Sequence, residues 1–180
     1  MGAFENALSE EPKHVIIDLL GKALDENRAL KKQLAQADQT AYDRSEKLFV
    51  VALDFDGTLV DRGNWPGFGP DLESRAWLLE LQRLGAKFVL WTMRDGPELQ
   101  AAADYCRNLL DIELFGINEN PTQHGWTRSP KAHYTVLVDD RGIGVPLRKG
   151  VTDHLVVDWG RVGPLLIDFF YAWVKEEPAR

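Results

Sequence analysis

The sequence predicts an α/β domain built on a doubly wound, five-stranded parallel sheet and preceded by a coiled-coil helix. Three observations carry this expectation. From residue 48 onward, short continuous apolar runs alternate with segments of helical spacing, the pattern of a parallel sheet covered on both faces. Three of those runs lead into Asp54, Thr92 and Asp139, and ligands of such sheets sit beyond the carboxyl ends of the strands. Ahead of them, residues 14–41 carry small and apolar residues at alternating steps of four and three, which is a heptad seam.

The elements follow in order. Residues 1–13 read as a flexible N-terminus. They hold neither a basic n-region nor an apolar core, so they are not a secretory signal. Met1-Gly2 opens like a myristoylation site, but Asn6 stands where Ser or Thr is needed. The seam then runs through Ile16, Leu20, Ala23, Asn27, Leu30, Leu34, Ala37 and Ala41. With Leu20 and Leu34 at a positions Asn27 is also at a, where a polar residue fixes register and oligomer number. Glu26 then falls at g and Lys31 at the following e, an attractive interchain pair in a parallel dimer. Ile17, Leu19 and Leu24 broaden the apolar face, which leaves open a higher assembly or an ordinary amphipathic helix lying on its own domain.

A polar linker, Ala41 to Lys47, leads to a domain spanning 48–178. Strands are expected at Leu48–Asp54, Lys87–Thr92, near Glu113–Gly116, at Tyr134–Asp139 and, as the fifth, at Asp153–Asp158. Helices are expected at Asp71–Leu84, with Asp71 as a possible cap and Gly85 as terminator, at Pro97–Leu110 and at Val162–Lys175. A polar loop joins Asn118 to Lys131.

The 180 residues, 44% hydrophobic, suffice for one domain with a core plus an appendage. Net charge is −7 with no long basic stretch, which argues against a dedicated nucleic-acid binder while leaving room for a local anion pocket. Cys106 is the only cysteine, so no internal disulfide forms. No apolar run is long enough to span a bilayer. The chain reads as cytoplasmic.

Asp54 and Asp56 are the most informative residues. Two carboxylates two positions apart, closing an apolar run and followed by Gly57-Thr58, repel unless a cation or a proton relieves them. Such a pair suits Mg²⁺ binding and attack on phosphorus. An Asp-Gly hairpin turn is the plain alternative.

The string Asp54-Phe55-Asp56-Gly57-Thr58-Leu59-Val60 resembles motif I of the haloacid dehalogenase (HAD) superfamily of phosphohydrolases. Val89-Leu90-Trp91-Thr92 resembles motif II, Lys131 motif III and Val138-Asp139-Asp140-Arg141 motif IV. The resemblance covers most of residues 48–158 and is closer still to small capless HAD-like hydrolases of bacteria and phages. Shared there are Pro66 with Gly69, Leu90 to Arg94, Ser129 before Lys131, and Asp139 through Pro146.

What the resemblance implies is a Mg²⁺-dependent phosphomonoester hydrolase working through an aspartyl-phosphate. Asp54 would be the nucleophile and Asp56 the general acid and base. Thr92 would hold a phosphoryl oxygen, and Lys131 would neutralise charge on Asp54 and the phosphoryl group. Mg²⁺ would lie among the Asp54 side chain, the Asp56 carbonyl, Asp139 and Asp140, the last directly or through water. Gly57, Thr58, Arg94 and Arg141 are the substrate-binding candidates, with capping or ion pairing as the alternative for the two arginines. Trp65, His124 and Trp126 are candidates for the mouth of the site; His14, His133 and His154 read as structural.

One helix fills most of the interval between motifs I and II, and a helix, a short strand and a loop fill that between II and III, leaving no room for a cap domain. The site is therefore expected to be open to large substrates, or covered by a neighbouring subunit brought by residues 14–41. A polynucleotide 3′-phosphatase is the rival within the enzyme class. A non-catalytic oligomeric scaffold is the rival outside it.

Overall fold

The computed structural model describes residues 13–63 and 65–176. The expected flexible segment, Lys13 apart, lies outside the described residues, as do the last two residues of the expected domain, 177–178. The elements are α1 (Lys13–Glu46), β1 (Val50–Leu53), α2 (Arg75–Leu84), β2 (Lys87–Leu90), α3 (Gly96–Asn108), β3 (Leu114–Ile117), a 3₁₀ turn (Pro121–Gly125), β4 (Val136–Val138), β5 (Leu147–Lys149), β6 (Leu155–Val157) and α4 (Trp159–Glu176).

A parallel sheet in the order β3-β2-β1-β4 forms the centre. β1 is the most apolar strand, and all four of its residues are buried. Leu53 is level with Leu90 on one side and Val138 on the other, and Leu90 with Ile117. The chain therefore leaves the sheet on one line at Asp54, Trp91, Asn118 and Asp139. This register is what gathers the site.

Among the described residues the sheet has four strands, not the expected five. The apolar run at 153–158 does form β6, but it pairs antiparallel with β5 in a separate ribbon. A fifth parallel strand needs a long crossover, and the residues after β4 are spent instead on a turn and on β5. The ribbon is tied to the turn after β1 by a hydrogen bond from Val157 N–H to the Gly57 carbonyl (2.8 Å).

Helix α2 starts at Ser74–Arg75 rather than at Asp71, because Asp71 is held extended in a bridge with Val60. Its carboxylate accepts from Glu73 N–H and from the Tyr105 hydroxyl. Gly85, with φ 103°, ends that helix as expected. Cys106 is buried, and burial pushes its thiol up to about 12. That is an unreactive packing residue.

Helix α1 is continuous over 34 residues, about 50 Å at 1.5 Å per residue. Residues 41–46 of the expected linker belong to the helix, and only Lys47 lies beyond its end. The reason is docking: Tyr42 meets Trp126 edge-on at 5.0 Å, and Ser45 Oγ lies 2.9 Å from Thr122 Oγ1 and 3.3 Å from His133 Nδ1. Every residue from 21 to 40 is exposed, including Leu24, Leu30 and Leu34 at 61–64%. Over that stretch the helix does not lie on its own domain. No helix among the described residues is long and apolar enough to cross a membrane.

Candidate active site

The chain turns sharply after β1. Leu59 N–H and Val60 N–H both donate to the Phe55 carbonyl, and Gly57 N–H donates to Val60 at 2.7 Å. Gly57 has φ 87°, and a Cβ there would stand 2.7 Å from Asp140 Oδ2. Only glycine lets the loop after β4 come this close.

The turn and the β4 loop are joined by Thr58. Its hydroxyl donates to Asp54 Oδ2 (3.0 Å) and accepts from Asp140 N–H (3.1 Å). Fully buried and used in both senses, Thr58 braces the loops rather than facing the cleft. The Trp159 indole N–H, donating to the Thr58 carbonyl at 2.6 Å, fixes the same turn from α4.

Asp54, Asp139 and Asp140 each bring a carboxylate oxygen within 4.8 Å of the others. Burial pushes the Asp54 carboxyl up to about 7; hydrogen bonds from Thr58 and Phe55 oppose this, and the charges on Asp139 and Asp140 add to it. Three hard oxygen donors crowded at this range, one largely desolvated, fit a divalent cation such as Mg²⁺. The donor set would hold it without a nitrogen or sulfur ligand.

Asp56 lies on a different branch of the site. Arg94 grips it with both arms of the guanidinium, Nε to Oδ2 at 2.8 Å and Nη2 to Oδ1 at 2.6 Å. Arg94 also donates to the carbonyls of Pro66 (2.8 Å) and Gly67 (3.0 Å). It is 2% exposed and sits against the rings of Phe55, Trp65 and Phe68. This expected substrate-binding residue is committed to holding Asp56 and the 61–70 loop.

Thr92 lines the cleft, and Asn118 secures it: Thr92 N–H donates to Asn118 Oδ1 and Asn118 Nδ2 donates to the Thr92 carbonyl, both at 2.8 Å. Arg141 is exposed on the cleft wall. Lys131 is exposed and follows Pro130, which lines the cleft while Lys131 does not. His124 and Trp126 face elsewhere, His124 toward Glu119 and Trp126 onto Tyr42 and His133.

Sequence reasoning missed the apolar lining residues Trp91 and Met93 and three polar ones. Arg62 donates to Asp140, and its neighbour Asp61 accepts from Arg62 N–H, Val151 N–H and the Thr152 hydroxyl at 2.6–2.7 Å. Asn118 and His154 also line the cleft. The only local signal was that Arg62 and Asn118 closely follow strand or turn ends; the His154 position depends on the β5–β6 ribbon.

No family model and no curated protein sequence matches this chain. Among solved structures it is similar to a conserved protein from Bacteroides thetaiotaomicron, with a TM-score of 0.54 and 26% identity over 68% of this chain and 93% of that one. The likeness agrees with a Rossmann-like α/β fold around a parallel sheet.

Proposed function

We propose that this chain is a divalent-cation-dependent phosphomonoester hydrolase of the HAD type, with Asp54 as nucleophile. The observation that carries the reading is the trio Asp54, Asp139 and Asp140 within 4.8 Å at the carboxyl ends of two neighbouring strands. A Mg²⁺ ion held by these carboxylates and the Asp56 carbonyl would supply the positive charge that lets an anion approach a phosphate monoester.

The chain's own groups do the rest. The Asp54 carboxylate displaces the leaving alcohol from phosphorus and forms an acyl phosphate, which water then opens. Asp56 gives a proton to the departing oxygen and takes one from the incoming water; the two-armed hold of Arg94 fixes its direction. Thr92 is braced by Asn118 to receive a phosphoryl oxygen. Arg62 offsets the acidic cluster from inside the cleft. Lys131, exposed beside the cleft-lining Pro130, would neutralise charge on the bound phosphate.

The same proposal gives α1 a second copy of the chain as partner. Its support is the bare Leu30–Leu34 seam together with the complementary Glu26 and Lys31.

The test is phosphate release from aryl, sugar and nucleotide monoesters, with and without Mg²⁺. Turnover abolished by chelator and by Asp54→Asn is expected. Turnover untouched by either would refute the reading, and a folded, metal-loaded protein inert on every ester would favour the scaffold.

A further inference from the structure

We propose that the cleft takes the phosphate ester of a nucleoside, with the base lying on a surface made by Trp65, Met93 and Trp91. The inference rests on the phosphomonoesterase reading for where the phosphoryl group sits.

The first argument is size. The cleft measures about 840 Å³, in the range that holds a whole drug-sized ligand and far more than a phosphoryl group fills. The second is the nature of the spare surface. Trp65 is 64% exposed and Met93 96% exposed, and both line the cleft with Trp91. Large apolar side chains left bare beside a cluster of carboxylates mark a binding surface rather than unfinished packing.

Trp65 is also set in place beforehand. The buried Arg94 guanidinium lies 4.9 Å from its ring centroid and bonds to the carbonyls of the two residues that follow it. One ring face is backed by this cation, and the side chain as a whole stays accessible. A fixed indole of this kind binds a planar ring with little ordering cost.

Charge completes the argument. Arg62, Arg141 and His154 line the same cleft, in a chain of net charge −7. Two arginines on the cleft wall suit an anionic ester, and the aromatic surface suits its base.

The test compares kcat/KM for 3′- and 5′-nucleoside monophosphates, a 3′-phosphorylated oligonucleotide, and glycerol and glucose phosphates. A preference of about tenfold or more for nucleoside esters is expected, from the usual strength of base stacking on an aromatic side chain. Trp65→Ala should erase most of it by raising KM, and Trp65→Phe should restore it. The better of the free nucleotide and the oligonucleotide identifies the source of the ester.

Hydrolysis with no nucleoside preference, or a preference unchanged in Trp65→Ala, would overturn the base surface and leave the phosphatase standing. Tryptophan fluorescence of Asp54→Asn protein, titrated with nucleoside monophosphate and Mg²⁺, separates the two ideas. Saturable quenching that Trp65→Ala removes, in a protein whose wild type hydrolyses nothing, would keep the base surface and end the phosphatase reading.

Discussion

Arg94 shows how one side chain can decide the geometry of another. Its donors are spent on Asp56, Pro66 and Gly67, and a lysine ammonium cannot reproduce that planar fork. Arg94→Lys is expected to lower kcat about 10²-fold, the scale of a one-ångström misplacement, while KM moves little. Steady-state kinetics on any turned-over ester checks this; a change in KM alone would return Arg94 to substrate binding. Asp54 gives a prediction in pH. Burial pushes its carboxyl up from the ordinary 3.8 to about 7, so its contribution to stability is full below the lower value and lost as pH rises through the upper one. In cation-free protein that loss should be largest above pH 7, where a bound cation relieves it. Thermal melts with and without Mg²⁺ should therefore show a larger rise in Tm at pH 8 than at pH 6. An equal rise at both would contradict the cation assignment. Asp54 and Asp139 were legible because each directly follows an apolar run. Arg62 was not, since its partner Asp140 is remote in sequence.

At the scale of elements, the β5–β6 ribbon was the least legible part. Three residues in β5 give no period to read, and the ribbon is defined by a distant carboxylate. Asp61 is buried with three donors on it. Burial alone would raise its pKa, but the hydrogen bonds from Thr152, Val151 and Arg62 together lower it. With the folded value below 3.8, this stabilisation is present above pH 3.8 and lost as pH falls beneath it. Asp61→Asn should cost about 1–3 kcal/mol in urea unfolding at pH 7, with the gap from wild type narrowing below pH 3.8. A pH-independent difference would mean that charge plays no part. The helical course of α1, by contrast, was plain from its apolar spacing, although its true end at Glu46 was hidden in a polar stretch that docks through Tyr42 and Ser45. If α1 self-associates as proposed, the wild type should sediment as an oligomer in analytical ultracentrifugation, and replacing Leu30 and Leu34 together by Glu should give a monomer with the α/β domain intact. A monomeric wild type, or an oligomer unchanged by the substitutions, would contradict association through this seam.

Across the whole molecule, the parallel sheet does one job for function: equal register at Leu53, Leu90 and Val138 sends three loops to one place. Strand-end residues therefore announced the site, while its walls, made by the 61–70 loop and the ribbon, required the folded chain. The four-stranded order is the price of turning β6 away from the sheet to cover the Gly57 turn. The central claim is covalent chemistry at Asp54. Its most direct measurement is mass spectrometry of the acid-quenched protein during turnover of an ester with Mg²⁺. A phosphoryl group on the peptide containing Asp54, absent from Asp54→Asn, is the predicted result. Rapid phosphate release with no label at Asp54, undiminished in Asp54→Asn, would contradict it.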